Sequence, residues 1–228
     1  LAYNNRANSY ADLGNFAAAI DDLTTAINQD PENGIFFFNR GFSYQRAGML
    51  NLALKDYEQA SRLHPNDAHI INSQGGVLLE MNQYDEALRR FNRAIEMLPH
   101  YADAHSNRGN TFRELKDYQS SINDYTTAIQ LEPDNAMYYS NRGSCLGDMG
   151  RRKEALDDFS QAIRCDESYV QTYLNRADLQ QRHNNYNAAI MDFNHVIALN
   201  AGTADVWNNR GGCHAQCARQ RLCAPYPA

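Results

Sequence analysis

The sequence predicts an all-α fold, a solenoid of antiparallel helix pairs, from three observations. A tripeptide of Asn, Arg and a small residue begins at residues 5, 39, 107, 141, 175 and 209, so one period, or a doubled one, separates its copies. Each 34-residue unit also contains two segments with apolar residues at helical spacing, and a turn-forming position separates the two segments. Such a period is typical of repeat proteins whose stacked units bury a continuous core.

The second unit illustrates one helix pair. Apolar residues at helical spacing run from Phe37 to Ala47 and again from Leu50 to Leu63, and they predict a first and a second helix. The position between the helices is mostly Gly or Asn, which tolerate positive φ and end a helix in a tight turn, whereas Lys116 is the exception. This hinge column reads Gly14, Gly48, Asn82, Lys116, Gly150 and Asn184.

Proline predicts the end of each second helix, because it cannot continue the backbone hydrogen-bond ladder. It occupies this place in the first four units, as Pro31, Pro65, Pro99 and Pro133. Glu167 and Ala201 replace it in the next two units, so we expect less sharply defined helix ends there.

Small residues predict where the paired helices approach closely. The first-helix column is Ala7, Gly41, Gly75, Gly109, Gly143, Ala177 and Gly211. The second-helix column is Ala19, Ala53, Ala87, Ser121, Ala155 and Ala189. A bulky side chain in either column would push the two helices apart.

This pattern of a large residue, Gly or Ala, Tyr or Leu, a Gly hinge, Tyr, Ala, Phe or Tyr, Ala and Pro within one unit resembles the tetratricopeptide repeat. The resemblance covers residues 1 to about 217. It implies a right-handed superhelix whose concave groove is lined by the first helices. In this family the groove commonly binds extended or helical segments of other proteins.

We therefore divide the chain into a repeat array, residues 1–217, and an irregular C-terminal tail, residues 218–228. The array comprises near-complete repeats at approximately 1–33, 34–67, 68–101, 102–135, 136–169 and 170–203, followed by a seventh first helix at 204–217. Because the chain starts at Leu1, inside a repeat and without Met, we expect it to be a fragment.

Comparison of the repeats with one another predicts an ion pair within each unit. The arginines at 6, 40, 108, 142 and 176 are matched, at a constant distance along the chain, by aspartates at 22, 56, 124, 158 and 192. The third unit lacks both partners, since Gln74 and Arg90 stand in their places. Joint loss within one unit indicates pairing inside the repeat, although common ancestry of the copies would also preserve both residues without contact.

The resemblance places a column of asparagines in the groove: Asn5, Asn39, Asn107, Asn141, Asn175 and Asn209. A side-chain amide both donates and accepts, so this row can bind a peptide backbone whatever the ligand's side chains are. Similar ladders occur in the substrate-binding superhelix of O-linked N-acetylglucosamine transferase. The alternative is that these amides cap or bridge neighbouring helices, and both interpretations stay open at this point.

Other groove positions inferred from the resemblance carry more acidic than basic residues. The acidic ones are Asp12, Glu80, Asp103, Glu114, Asp148, Asp178 and Asp205, against Arg46, Arg113 and Arg182. A neutral or basic ligand is therefore favoured. Ile35, Phe38 and Phe42 share one face of the second unit's first helix and form a possible apolar anchor for the ligand. Packing between neighbouring repeats is the alternative role for these three.

Composition narrows the remaining classes of function. The formal net charge of -6 and the pI near 5.6 give no basic field for nucleic acid, and no apolar run approaches the roughly 20 residues that span a bilayer. Cys213, Cys217, Cys223 and His214 match no zinc-site spacing. We find no catalytic constellation, so the sequence predicts no enzyme activity, no cofactor and no metal, and an intracellular, cytoplasmic location.

Together these observations predict a protein-interaction scaffold that binds a segment of a partner protein in its groove. One alternative is the substrate-recognition arm of a larger enzyme similar to O-linked N-acetylglucosamine transferase. Another is an architectural subunit of a multiprotein assembly. The sequence leaves the partner and the oligomeric state undetermined.

Overall fold

The computed structural model describes residues 2–222, and within this range the chain forms thirteen α-helices and no strand. The first helices of the repeats are α1 (Ala2–Asp12), α3 (Gly34–Arg46), α5 (Ala68–Glu80), α7 (Ala102–Glu114), α9 (Ala136–Asp148), α11 (Val170–Arg182) and α13 (Ala204–Leu222). The second helices are α2 (Phe16–Gln29), α4 (Leu50–Leu63), α6 (Tyr84–Met97), α8 (Tyr118–Leu131), α10 (Arg152–Cys165) and α12 (Tyr186–Ala198). The starting residues of the second helices are evenly spaced, which confirms the predicted period.

The chain divides into two compact units, Leu1–Leu115 and Lys116–Ala228. In the first unit α1 packs on α2, α3 on α4 and α5 on α6. In the second unit α9 packs on α10, α11 on α12, and α13 on α12. The fold is the all-α repeat array that the sequence predicts.

Left-handed backbone at the hinge column ends each first helix. Gly14, Gly48 and Gly150 all have φ of 75°, and Asn82 and Asn184 have φ of 58° and 60°. Lys116 adopts φ of 61° although its side chain disfavours this conformation. The predicted hinge is therefore confirmed even at its exceptional residue, because the repeat geometry determines the backbone there.

The two second helices that lack a following proline end differently from each other. Helix α10 ends at Cys165, as the repeat period requires, and α12 ends at Ala198, just before the position that the period would give. After α12, Asn200 has φ of 57° and turns the chain. The expectation of a less defined end was therefore wrong for α10, where Glu167 replaces proline, whereas α12, before Ala201, departs from the period by one residue.

The small-residue column lets each first helix lie against an aromatic ring of its partner. A methyl group added to Gly75 would lie 2.6 Å from the Phe91 ring, and one added to Gly143 would lie 2.9 Å from the Phe159 ring. The rings themselves are buried and recur with the repeat period, as Tyr57, Phe91, Tyr125, Phe159 and Phe193. Close approach of the paired helices is thus confirmed in the third and fifth repeats.

Helix α13 is longer than predicted. It continues to Leu222, so the prediction that residues 218–222 belong to an irregular tail was wrong. Residues 218–222 are Ala, Arg, Gln, Arg and Leu, all strong helix formers, and they contain neither Gly nor Pro. Residues 223–228, the rest of the predicted tail, lie outside the described part of the chain.

Candidate functional site

Ion pairs join the first helix to the second helix in several repeats. Arg40 donates from Nε to Asp56 Oδ2 at 2.7 Å and from Nη2 to Asp56 Oδ1 at 2.9 Å. The same two-point contact joins Arg6 to Asp22 at 2.6 and 2.7 Å, Arg142 to Asp158 at 2.7 and 2.8 Å, and Arg176 to Asp192 at 3.0 and 2.6 Å. Pairing within the repeat is therefore confirmed in the first, second, fifth and sixth repeats.

The same arginines also contact the preceding repeat, which the sequence analysis missed. Nη1 of Arg40 donates to Thr24 Oγ1 at 3.1 Å, and Nη1 of Arg142 donates to Thr126 Oγ1 at 3.1 Å. Each threonine lies as far upstream of its arginine as the aspartate lies downstream. The signal was a column of mostly small polar side chains: Thr24, Asn92, Thr126, Ser160 and Asn194, broken only by Glu58.

The third repeat replaces this network with a different one. Gln74 is buried and donates from Nε2 to the carbonyl oxygen of Tyr57 at 3.1 Å, which ties α5 to the second helix of the preceding repeat. Within residues 2–222, the buried Oε1 of Gln74 has no hydrogen-bond partner. The third repeat thus lacks the two-point ion pair and retains an unsatisfied buried acceptor.

The predicted asparagine column joins neighbouring first helices. Asn39 Nδ2 donates to Asn4 Oδ1 at 2.8 Å, Asn107 Nδ2 donates to Asn72 Oδ1 at 3.1 Å, and Asn175 Nδ2 donates to Ser140 Oγ at 3.1 Å. In each case the acceptor is 35 residues upstream. The bridging interpretation therefore holds for these three amides, whose acceptors belong to the preceding repeat.

The remaining members of the column differ in exposure. Asn5 and Asn209 are exposed, and Asn141 is half-buried. Leu174 occupies the acceptor position for Asn209 and offers no side-chain acceptor, which is consistent with that exposure. Ser73 interrupts the row, and its hydroxyl donates back to the carbonyl oxygen of His69 at 2.9 Å.

Bridging uses only part of each amide's hydrogen-bonding capacity. Asn39 and Asn107 each use one of their two side-chain N–H groups in the bond to the neighbouring helix. No described residue donates to the Oδ1 atom of Asn39 or of Asn107. Asn175 Oδ1 accepts from Gln171 Nε2 at 2.8 Å, so this amide is more fully occupied. The half-buried Asn39 and Asn107 therefore present one acceptor and one donor that are still open.

A chain of polar contacts links the core of the second repeat to an acidic residue of the third. The hydroxyl of Tyr57 donates to Gln45 Oε1 at 3.0 Å, and Gln45 Nε2 donates to Glu80 Oε1 at 2.6 Å. Burial, together with the negative charge of Glu80, raises the pKa of Tyr57 above its ordinary range. Tyr57 therefore stays neutral at physiological pH, and Glu80 lies at the exposed end of this chain of contacts.

Two of the three predicted groove cations, Arg46 and Arg182, contact other groups of the protein. Arg182 lies 3.4 Å from Asp148 and 2.9 Å from Asp178, so two carboxylates balance its charge. The guanidinium of Arg46 lies 5.8 Å from the centre of the Phe16 ring. Asp12, Glu80, Glu114 and Asp205 are exposed acidic residues on the first helices.

The three residues of the predicted apolar anchor have different surroundings. Phe38 is half-buried and packs on Tyr57 with ring centres 5.4 Å apart, whereas Ile35 and Phe42 are 56% and 45% exposed. Ile35 and Phe38 line a cavity of about 240 Å³ together with Gly34, His64, Asp67, His69 and Ile70. Phe42 is outside the cavity lining, so the structure brings two of the three predicted residues together there.

The cysteine-rich end of the chain is held by ordinary polar contacts. Cys213 Sγ accepts from Gln181 Nε2 at 3.1 Å, and burial raises the pKa of the Cys213 thiol. Cys217 Sγ donates to Asn187 Oδ1 at 3.3 Å, whereas Cys223 lies outside the described residues. Across residues 2–222 no three His, Cys, Asp or Glu side chains are grouped as a metal site, and no helix has the length and apolar character to cross a membrane.

Solved structures with the same architecture are numerous. A tetratricopeptide repeat protein from Parabacteroides merdae ATCC 43184 is 22% identical, with a TM-score of 0.74 over 96% of this chain and 87% of that one. The Cut9–Hcn1 hetero-tetramer of the APC/C gives 15% identity and a TM-score of 0.79 over 92% of this chain and 42% of that one. YrrB, described as a TPR protein with an unusual peptide-binding site, gives 20% identity and a TM-score of 0.55 over 83% and 97%.

Family models locate the repeats in the sequence itself. No curated protein matches the chain. Three models described as tetratricopeptide repeat match residues 1–33 and 102–135, residues 33–100, and residues 137–169 and 170–203. These matches cover nearly the whole chain up to residue 203, and the chain belongs to the tetratricopeptide repeat family.

Proposed function

We propose that this protein is an interaction scaffold that binds an extended segment of a partner protein along its first helices. The single observation that carries the proposal is the row of half-buried amides, of which Asn39 and Asn107 keep an unused acceptor beside a used donor. Membership of the tetratricopeptide repeat family and the likeness to YrrB, a peptide-binding protein by its description, support the same class of function.

The amides suit a peptide backbone because each can accept from an N–H and donate to a carbonyl oxygen. Packed helices lie about 8–10 Å apart and an extended chain rises about 3.3 Å per residue, so neighbouring first helices would meet roughly every third ligand residue. Each such hydrogen bond contributes about 1 kcal/mol. The proposed contacts are Asn5, Asn39 and Asn107 in the first compact unit and Asn141, Asn175 and Asn209 in the second.

The charged side chains on the first helices favour one class of ligand. Glu80 on α5 accepts from the neutral amide of Gln45, a contact that leaves its negative charge uncompensated, and Glu114 on α7 is exposed. Arg182, in contrast, is balanced by Asp148 and Asp178. A neutral or basic segment is therefore favoured over an acidic one.

An apolar ligand side chain has a place to bind beside the amide row. The cavity lined by Ile35, Phe38 and Ile70 lies at the start of α3, and Ile35 is largely exposed at its edge. Burial of an apolar side chain against these residues would add roughly 25 cal/mol per Å² of buried apolar surface. Phe42 is a second exposed apolar contact on the same helix.

The experiment is selection of a random-peptide library on the protein, followed by calorimetry with the selected peptides. Asn39→Ala should weaken binding about five-fold, the equivalent of one hydrogen bond of about 1 kcal/mol. The matched control is Asn4→Ala, which removes the same bridge between α1 and α3 but leaves the Asn39 amide in place.

Three outcomes would contradict the proposal. The first is an equal loss of affinity in Asn39→Ala and Asn4→Ala, which would make the amide purely structural. The second is a set of selected peptides that is predominantly acidic. The third is unchanged affinity in Asn39→Ala, Asn107→Ala and the triple variant that adds Asn175→Ala, which would favour the architectural alternative.

A further inference from the structure

The cavity at the start of α3 and α5 is lined by rings that other contacts already hold in place. Phe38 packs on Tyr57 with ring centres 5.4 Å apart, and the ring of His69 meets that of Tyr101 edge-on at 4.6 Å. The cavity volume of about 240 Å³ lies below the roughly 300–1,000 Å³ of small-molecule pockets. It therefore suits one side chain of a ligand, and its lining is formed before the ligand binds.

A glycine of the second repeat makes room for a further ring. Later first helices carry Ala68, Ala102, Ala136, Val170 and Ala204 at the position of Gly34. A methyl group added to Gly34 would overlap the ring of His64, so this ring lies directly against the backbone of α3. In the fifth repeat Ala136 and Asp166 occupy the same two positions, and three carboxylates line the corresponding cavity. The aromatic lining is therefore a feature of this place in the chain and not of the repeat pattern itself.

Asp67 adds a hydrogen-bond acceptor to this mostly apolar lining. Its Oδ1 caps α5 by accepting from the backbone N–H groups of His69 at 2.8 Å and Ile70 at 3.4 Å. Its Oδ2 accepts from no described residue, although the side chain is half-buried. Because burial makes an acceptor without a donor costly, the cavity favours an occupant that brings an O–H or N–H group.

The cavity adjoins the amide row, since Phe38 in its lining directly precedes Asn39. We propose that the cavity binds a tyrosine side chain of the ligand segment. The tyrosine ring packs against Ile35, Phe38 and Ile70, and its hydroxyl donates to Oδ2 of Asp67. This inference rests on the proposed function, in which the segment lies along the first helices. It adds a preferred register to an amide row that tolerates any ligand side chain.

Other side chains satisfy only part of the cavity. Phenylalanine matches the aromatic lining but leaves Oδ2 of Asp67 without a donor, and leucine also lacks the favourable pairing of rings. Lysine and arginine pair with the carboxylate, but they lose more rotamer freedom on binding than tyrosine does and cover the rings only with a flexible stem. Phosphotyrosine brings up to about two negative charges to the carboxylate and is repelled.

Single-residue probes test the cavity without the amide row. Methyl signals of labelled isoleucine are recorded by NMR while N-acetyltyrosinamide, N-acetylphenylalaninamide or N-acetyllysinamide is added to the 228-residue protein. The tyrosine probe should shift the signals of Ile35 and Ile70 to saturation and bind about five-fold tighter than the phenylalanine probe, the equivalent of one hydrogen bond. The signals of Ile122 and Ile190, which lie in the second compact unit, should stay in place.

The substitution Asp67→Asn removes the open oxygen and keeps the helix cap. Asn33 and Asn135 occupy the same column and cap α3 and α9 through Oδ1, so the new asparagine should cap α5 and put an N–H donor in place of Oδ2. The tyrosine probe should then bind no tighter than the phenylalanine probe, whose affinity should stay unchanged. The matched control is Asp117→Asn, which makes the same change at the cap of α8 and should leave both affinities unaltered. Thermal melts of both variants check that the fold is kept.

Four outcomes would overturn the proposal: no shift of the Ile35 and Ile70 signals with any probe, tighter binding of the lysine probe than of the tyrosine probe, equal affinity of the tyrosine and phenylalanine probes, or an equal loss for these two probes in Asp67→Asn. The probes offer no extended backbone, so a failure at the cavity does not contradict the amide-row proposal. Unchanged peptide affinity in Asn39→Ala would likewise contradict the amide row and leave the probe result intact.

Discussion

The guanidinium of Arg40 meets the carboxylate of Asp56 through two hydrogen bonds of 2.7 and 2.9 Å, and both side chains are largely buried. Removing one partner leaves a buried charge without compensation. We expect Arg40→Gln to lower the free energy of unfolding by about 3–5 kcal/mol, measured by urea denaturation. Adding Asp56→Arg to it copies the third repeat, with Gln74 and Arg90, and should recover most of that loss.

The exposed counterpart of this pair serves as the control. Arg6 binds Asp22 with the same geometry, but its side chain is 59% exposed. Arg6→Gln should therefore shift the urea midpoint much less than Arg40→Gln does. Equal loss of stability in Arg6→Gln and Arg40→Gln would show that burial does not set the strength of the pair. A variant with both Arg40→Gln and Asp56→Arg that is no more stable than Arg40→Gln would show that joint replacement does not compensate.

The Asp22 pair should make part of the stability dependent on pH. The hydrogen bond from Arg6 lowers the pKa of Asp22 below its ordinary value of 3.8, so the folded state favours the charged carboxylate. This contribution is complete above the unfolded pKa of about 3.9 and is lost as the pH falls through the lower folded pKa. The difference in urea midpoint between the unchanged protein and Asp22→Asn should therefore shrink from pH 6 to pH 3. A difference that grows as the pH falls would contradict the assignment.

Lys116 offers a stabilising substitution. Its φ of 61° costs a side chain about 1–2 kcal/mol, and glycine avoids this cost while losing about 0.5–1 kcal/mol through unfolded-state entropy. We expect Lys116→Gly to raise the free energy of unfolding by roughly 0.5–1 kcal/mol. The reverse change at an equivalent open hinge, Gly150→Lys, should lower it by a similar amount in the same thermal melt. A destabilised Lys116→Gly variant would show that the side chain of Lys116 stabilises the fold by contacts.

Neighbouring glycines of α5 should respond in opposite directions. A methyl group on Gly75 would lie 2.6 Å from the buried Phe91 ring, whereas one on Gly76 meets only Gln45 Nε2 at 3.8 Å. We expect Gly75→Ala to destabilise by about 1–3 kcal/mol through overpacking. Gly76→Ala should stabilise by up to about 1 kcal/mol through helix propensity. Equal effects in urea denaturation would show that the Phe91 ring moves away without cost.

Substitutions of the apolar residues of α3 should distinguish a role in packing from a role in ligand binding. Phe38→Ala removes a half-buried ring that packs on Tyr57 and should cost about 1–3 kcal/mol in thermal denaturation. Ile35→Ala and Phe42→Ala alter exposed side chains and should change stability by less than about 0.5 kcal/mol. If peptides selected on the protein bind both exposed variants with unchanged affinity, the anchor on α3 is excluded.

Periodicity gave the positions of the helices but not all of the contacts between them. The hinge residues and the Arg40–Asp56 pair were predictable, because each is a repeated column with a clear local or paired chemistry. The contact of Arg40 with Thr24 and that of Asn39 with Asn4 were not, since a column shows that residues are alike without showing which other column faces it. These contacts depend on how one repeat is rotated against the next.

Helix α13 shows the same limit for the end of the array. The loss of the repeat pattern after residue 217 suggested an irregular chain, but helix propensity alone carries α13 on to Leu222. Periodic sequence signals report packing against neighbouring repeats, and residues 218–220 are exposed, so they carry no such signal.

Because Gln74 stands where other repeats have arginine, we expect local unfolding to be more frequent in the third repeat. In a chain of nearest-neighbour units, opening starts where the local coupling is smallest. The third repeat lacks the two-point ion pair and keeps the Oε1 of Gln74 unsatisfied within the described residues. Hydrogen exchange should therefore report more frequent local opening for the amides of α5 than for those of α3, where the Arg40–Asp56 pair is intact.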